Sequence, residues 1–125
     1  MKAVKNILSG IELLPLITEA ALDKKAEDVV VLDLERDTWI ADYFLVCSAD
    51  NQNHTRAIRD SIVDDLQKRG ITPWHSEGEQ DGQWILIDYS DVVVHIMTTQ
   101  VRQYYAIEEL WKPFDKHAPK GRTHA

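Results

Sequence analysis

The stretch Trp84-Ile-Leu-Ile-Asp88-Tyr-Ser-Asp91-Val-Val-Val-His95-Ile-Met97 decides the fold. Two short runs rich in β-branched residues flank the turn-forming Tyr89-Ser90-Asp91, which is the pattern of a β-hairpin with strands over residues 84–88 and 92–97. Side chains alternate along a strand, so Trp84, Leu86 and Asp88 share one face while Ile85 and Ile87 share the other. The second face is wholly apolar and belongs to the core. The first combines an indole with a carboxylate, and on the partner strand His95 shares a face with Val93 and Met97.

Upstream, Ser48-Ala-Asp-Asn-Gln-Asn53 concentrates helix-capping residues; Ile58, Ile62 and Leu66 then recur every four residues until Gly70 supplies a stop. Residues 43–47 read as a strand before that helix, and a strand-helix-strand unit requires a parallel, right-handed pairing beside the antiparallel hairpin. Asp28-Val-Val-Val-Leu-Asp-Leu34 is too short for a helix and reads as an interior strand covered on both faces. At the start, Ile11, Leu14, Ile17 and Ala21 have helical spacing, and Ser9 with Glu12 has the spacing of a capping box. Pro15 would lie past the tolerated first turn of a helix begun at Ser9, so the regular helix is expected from about Leu14.

Pro73 limits residues 72–75 to a short edge strand or a connection, and residues 78–82 form a loop. Thr98 or Thr99 caps a last helix that carries Val101, Tyr104, Ile107 or Glu108, and Trp111, and Pro113 ends it. The expected architecture is α/β (α+β): a mixed four- to five-stranded sheet packed with three helices, one domain over residues 1–113. Residues 114–125, with Lys116, Lys120 and Arg122 but no apolar pattern, are expected to form a flexible basic C-terminal tail.

The chain has 125 residues, 44% hydrophobic and 28% charged, which suits one globular core and excludes two catalytic domains or wholesale disorder. A formal net charge of −7 makes a polyphosphate a poor first partner. The single Cys47 cannot form an internal disulfide, and the longest apolar runs fall far short of the roughly 20 residues that span a bilayer. No secretory signal with an unbroken apolar centre is expected, so the reading is cytoplasmic and without a membrane partner.

The negative charge is segregated. From residue 70 to residue 101 there is no Lys or Arg, yet the stretch holds Glu77, Glu79, Asp81, Asp88 and Asp91. Acids beside an aromatic strand suggest a contact surface for a basic partner, with Trp84 as its anchor. Trp84 packed under a helix with its N–H satisfied, and the acids as a solvated loop, are the competing structural readings. Enzymatic readings are weaker. Cys47 and His54 could pair as a thiol dyad, but a lone Cys is more readily a small buried apolar residue. Asp88, Asp91 and His95 could meet a divalent metal, but the two aspartates flank a turn that each can shape. Gly78-Glu-Gln-Asp-Gly82 has carboxylates where a phosphate cradle needs bare backbone donors. No cofactor is expected.

In these residues the sequence resembles the ribosomal silencing factors, also called RsfS or Iojap proteins, from about residue 13 to residue 113. The resemblance is carried by Lys24-Lys-Ala-Glu-Asp-Val-Val-Val-Leu-Asp33, Ala41-Asp42-Tyr-Phe-Leu-Val, Glu77-Gly78 and the hairpin quoted first. It implies a non-enzymatic translation repressor that binds the large ribosomal subunit through its ribosomal protein fourteen. There it would block joining of the small subunit when nutrients are scarce. The implied docking residues are Trp84, Asp88, Tyr89 and Asp91, with Glu77, Gly78 and His95 as neighbours. A homodimer when isolated and at most a peripheral contact with ribosomal RNA are also implied. The family fold is similar to a nucleotidyltransferase core, which supplies the alternative reading of a nucleotide- or metal-binding enzyme. Against it, Cys47-Ser48-Ala49-Asp50 stands where a Gly-Ser turn is wanted, and no Asp-x-Asp follows on the next strand.

Overall fold

The computed structural model of the chain describes residues 8–34, 41–110 and 112–113. In chain order the elements are α1 (Gly10–Asp23), β1 (Glu27–Asp33), β2 (Tyr43–Ala49), α2 (Gln52–Lys68), β3 (His75–Glu77), β4 (Trp84–Asp88), β5 (Val92–Thr98), α3 (Thr99–Tyr105), a 3-10 turn (Ile107–Leu110) and β6 (Lys112–Pro113). Three helices and a mixed sheet give the expected α+β class. Five strands carry the sheet, and the two-residue β6 extends it beyond β1, in the order β3-β4-β5-β2-β1-β6. The parallel pair is β2 with β5, and all other neighbours are antiparallel. The expected basic tail at 114–125, and Trp111 of the last helix, lie outside the described residues.

The hairpin forms where its sequence predicts it, with Trp84 opposite Met97, Leu86 opposite His95 and Asp88 opposite Val93. Ser90 takes a positive φ of 76°, and the Asp88 Oδ1 carboxylate accepts the Ser90 N–H at 2.7 Å, so the carboxylate shapes the turn. The alternation sorts the molecule into two cores. Ile85, Ile87, Val92, Val94, Ile96, Leu45 and Cys47 face α1 and α2, whose Leu13, Ile17, Ile58, Ile62 and Leu66 complete the larger cluster. On the reverse face Phe44, Val46, Val93 and Met97 meet Leu32 and Leu34, with Val101 and Ile107 packed against them. Two helices of 14 and 17 residues cover one face; among the described residues, the other is covered by the seven-residue α3 and the 3-10 turn.

Four sequence expectations are corrected. The first helix starts at Gly10, with Ser9 as N-cap and a complete capping box to Glu12, and Pro15 sits inside it. Closing the box at both Ser9 and Glu12 outweighs the backbone bond lost at the proline, whose side chain stays at the surface. The strand at β1 is only partly buried; the strands buried along their whole length are β2 and β5, at the centre of the sheet. The short edge strand after Pro73 begins at His75 rather than Thr72. The last helix stops at Tyr105, where Ala106 turns left-handed with a φ of 46°, and the chain continues as the 3-10 turn.

Candidate functional site

Trp84, Leu86 and Asp88 stand half-buried on the thinly covered face of β4. The indole N–H of Trp84 donates to Nδ1 of His95 at 3.1 Å, and the Phe44 ring meets the imidazole edge-on with centroids 4.4 Å apart. An Nδ1 that accepts this bond places the ring proton of the neutral imidazole on Nε2. His95 is 5% exposed, its Nε2 has no hydrogen-bond partner among the described residues, and burial pushes its pKa down to about 4. It is therefore neutral at pH 7. The imidazole works as a fixed acceptor that sets the plane of the indole.

On its outer side, the Trp84 ring lies against Tyr105, with centroids 5.0 Å apart, and Tyr105 in turn meets Tyr104 edge-on at 4.9 Å. A row of rings thus runs from Phe44 and His95 in the core through Trp84 to the surface of α3. The alternation in the sequence marks Trp84, but nothing in it marks this row. The signal available was the adjacency of Tyr104 and Tyr105, since neighbours on a helix point about 100° apart and cannot both face a sheet.

The acidic residues divide by their partners. The loop of residues 78–82 is laced to α2: Arg56 donates to the carbonyls of Glu79 and Gln80, both at 2.8 Å, Gln52 Nε2 donates to that of Asp81 at 3.1 Å, and the Thr55 hydroxyl lies 2.6 Å from that of Gly82. Arg59 Nε is 3.4 Å from the Glu79 carboxylate, which also accepts from the Ser76 hydroxyl. Burial pushes the Glu79 carboxyl up, but the Ser76 bond, a backbone bond and Arg59 together hold it below its ordinary value. Although residues 70–101 hold no Lys or Arg, Glu79 thus meets a cation, because the arginines arrive from a helix some twenty residues upstream. Glu77 remains exposed, 3.3 Å from His75.

The seven residues expected at a docking surface therefore hold different positions. Trp84 and Asp88 are half-open, and Glu77 is exposed. Tyr89, expected as a contact, is fully buried, and His95, expected as a neighbour, nearly so; neither side chain is open to solvent in this structure. Asp91 accepts a backbone N–H from Gly10 at the start of α1, while burial and the nearby Asp42 charge push its carboxyl above the ordinary value. Gly78 has a φ of 93°, and a Cβ there would run into the Trp84 carbonyl, so its absent side chain lets the loop fold back on β4.

The other candidates resolve locally. Cys47 is completely buried and its thiol is pushed up to about 12 by burial, which leaves no thiolate for nucleophilic attack. The two nitrogens of His54 are engaged, by the Asp50 N–H at 2.9 Å and near the Lys24 carbonyl at 2.7 Å. Ser48, which stands where a nucleotidyl-transfer turn would be wanted, is buried in β2 with its hydroxyl 2.9 Å from Arg102. Arg102 was not singled out by the sequence, yet it is buried and joins α3 to Ser48, to Glu108 at 2.9 Å and to the Asp28 carbonyl at 2.7 Å. Asp28 sits at the irregularity in β1 with a φ of 50°.

A family model described as ribosomal silencing factor during starvation matches residues 8–124. The chain is 40% identical over 104 residues to the ribosomal silencing factor RsfS of Halalkalibacterium halodurans, which covers 83% of this chain and 89% of the relative. It is 38% identical over 99 residues to the protein of the same name from Bacillus subtilis, covering 79% and 84% respectively. Among solved structures, a Chromobacterium violaceum protein superposes with a TM-score of 0.80 at 32% identity, covering 92% of this chain and 98% of that one.

Proposed function

The chain belongs to the ribosomal silencing factor family, and from that premise we propose that it is a non-enzymatic, cytoplasmic factor that docks on the large ribosomal subunit and bars the small subunit from joining. Its partner there is ribosomal protein fourteen, as the family resemblance implies. The observation that carries the reading is the state of Trp84: half-open on the thinly covered sheet face, with its N–H already satisfied by His95. A ring held in one orientation loses little freedom when a partner covers it, which is the property of an interface anchor. Asp88 and Glu77 lie on the same hairpin sheet and supply negative charge for a basic protein surface. Residues 114–125, and any contact of that tail with ribosomal RNA, belong to the same proposal, as does the homodimer of the isolated chain.

The test is gradient sedimentation of purified subunits with and without the protein, scoring both its fraction and the yield of joined ribosomes. Wild type should travel with the large subunit and lower that yield. Trp84→Ala should weaken binding by about 2 kcal/mol, roughly thirtyfold, with the fold intact, and Asp88→Lys should weaken it in the same direction. Co-sedimentation of both variants at the wild-type level would remove this surface from the proposal.

A further inference from the structure

Residues 99–110 leave an aromatic surface that the docking residues above do not include. Tyr104 is 80% exposed, Tyr105 54% and Leu110 70%, and Tyr105 is in ring contact with Trp84. Arg102 is the one cation in this segment, and it is buried and committed to Glu108 and the Asp28 carbonyl; Glu109 is exposed. Exposed tyrosine rings and an exposed carboxylate in one short segment whose one cation is buried match a guanidinium: arginine stacks on aromatic planes while its charge is met by acids. The same charge balance repels a phosphate backbone, although a nucleic-acid base could stack on these rings.

We infer that the docking surface runs from Trp84 across α3, with Tyr105 and Tyr104 receiving an arginine-bearing segment of the protein that the factor meets on the large subunit. The inference rests on the proposed docking of Trp84 and moves the centre of that surface from the Asp88–Asp91 turn towards the helix. The indole is the shared element: His95 fixes it from below, and Tyr105 continues it outwards.

The experiment uses the full chain as wild type, the double variant Tyr104→Ala/Tyr105→Ala, Tyr105→Phe and Trp84→Ala. Each is checked for fold by circular dichroism, then titrated onto purified large subunits and onto the naked RNA extracted from them, with self-association read by analytical ultracentrifugation. The double variant should lose about tenfold or more in affinity for the subunit, and Tyr105→Phe, which keeps the ring, should stay within about threefold of wild type. Binding to naked RNA and the self-association constant should be the same for all four. If the double variant binds subunits like wild type while Trp84→Ala does not, the extension onto α3 is wrong and the Trp84 reading stands. A parallel loss on naked RNA makes the ligand a base, and a loss explained by altered self-association makes it a second copy; either overturns the inference. Failure of wild type itself to bind the subunit removes both readings.

Discussion

Trp84 and His95 act as a pair at the residue scale. The indole gives its one hydrogen to Nδ1, and burial of the imidazole against Phe44 and the sheet disfavours the second proton that would charge it. Its pKa is depressed from 6.5 to about 4 by burial, so between those values the unfolded chain binds a proton that the folded chain refuses. Stability from this group is fully present above pH 6.5 and is lost as the pH falls towards 4, by roughly 3 kcal/mol in all. His95→Gln keeps an acceptor for the indole and cannot titrate. Urea midpoints of the two proteins should therefore converge as the pH drops from 7 to 4.5, and parallel curves would show that His95 is not the group concerned.

At the scale of the element, α1 shows how a cap competes with a proline. Ser9 and Glu12 satisfy each other's backbone donors, which starts the helix at Gly10 although Pro15 then lacks the N–H that would bond one turn back. A helix-interior proline is about 3 kcal/mol less favourable than alanine. Pro15 is exposed and packs on no core. Pro15→Ala should accordingly stabilise the protein by roughly 1–3 kcal/mol, read as a higher denaturation midpoint, with the structure unchanged. The sequence displayed both signals, but spacing alone does not weigh them against each other.

At the scale of the whole molecule, the described residues are arranged asymmetrically about the sheet. On one side α1 and α2 bury a continuous apolar cluster; on the other, α3 is short and is held by Arg102, whose guanidinium ties it to Ser48, Glu108 and the Asp28 carbonyl. Such a helix is expected to open at lower free energy than the strands beneath it. Amide hydrogen exchange should find α3 less protected than β2 and β5. Arg102→Ala should speed exchange in α3 far more than in α2, since it leaves Glu108, the buried Ser48 hydroxyl and the Asp28 carbonyl without their partner. Equal acceleration everywhere would mean that α3 does not open as a separate unit. On that expectation, the face proposed to meet a partner is also the less rigid one.

The hairpin, the α2 helix and the parallel pairing were all legible in the sequence, because each follows from a local period or a turn residue: alternation over 84–88, a four-residue repeat in Ile58, Ile62 and Leu66, and a helix interposed between two strands. The motifs also carried the family. What only the tertiary structure decided was the fate of individual polar groups. Arg56 and Arg59 reach the acidic loop across twenty residues or more, Tyr89 turns into the core, and Tyr105 comes against Trp84 from the helix that follows β5. Periodicity tells which side of an element faces inwards, whereas the partner of a charge or the cover over a ring depends on contacts between distant segments, and those exist only once the chain has packed.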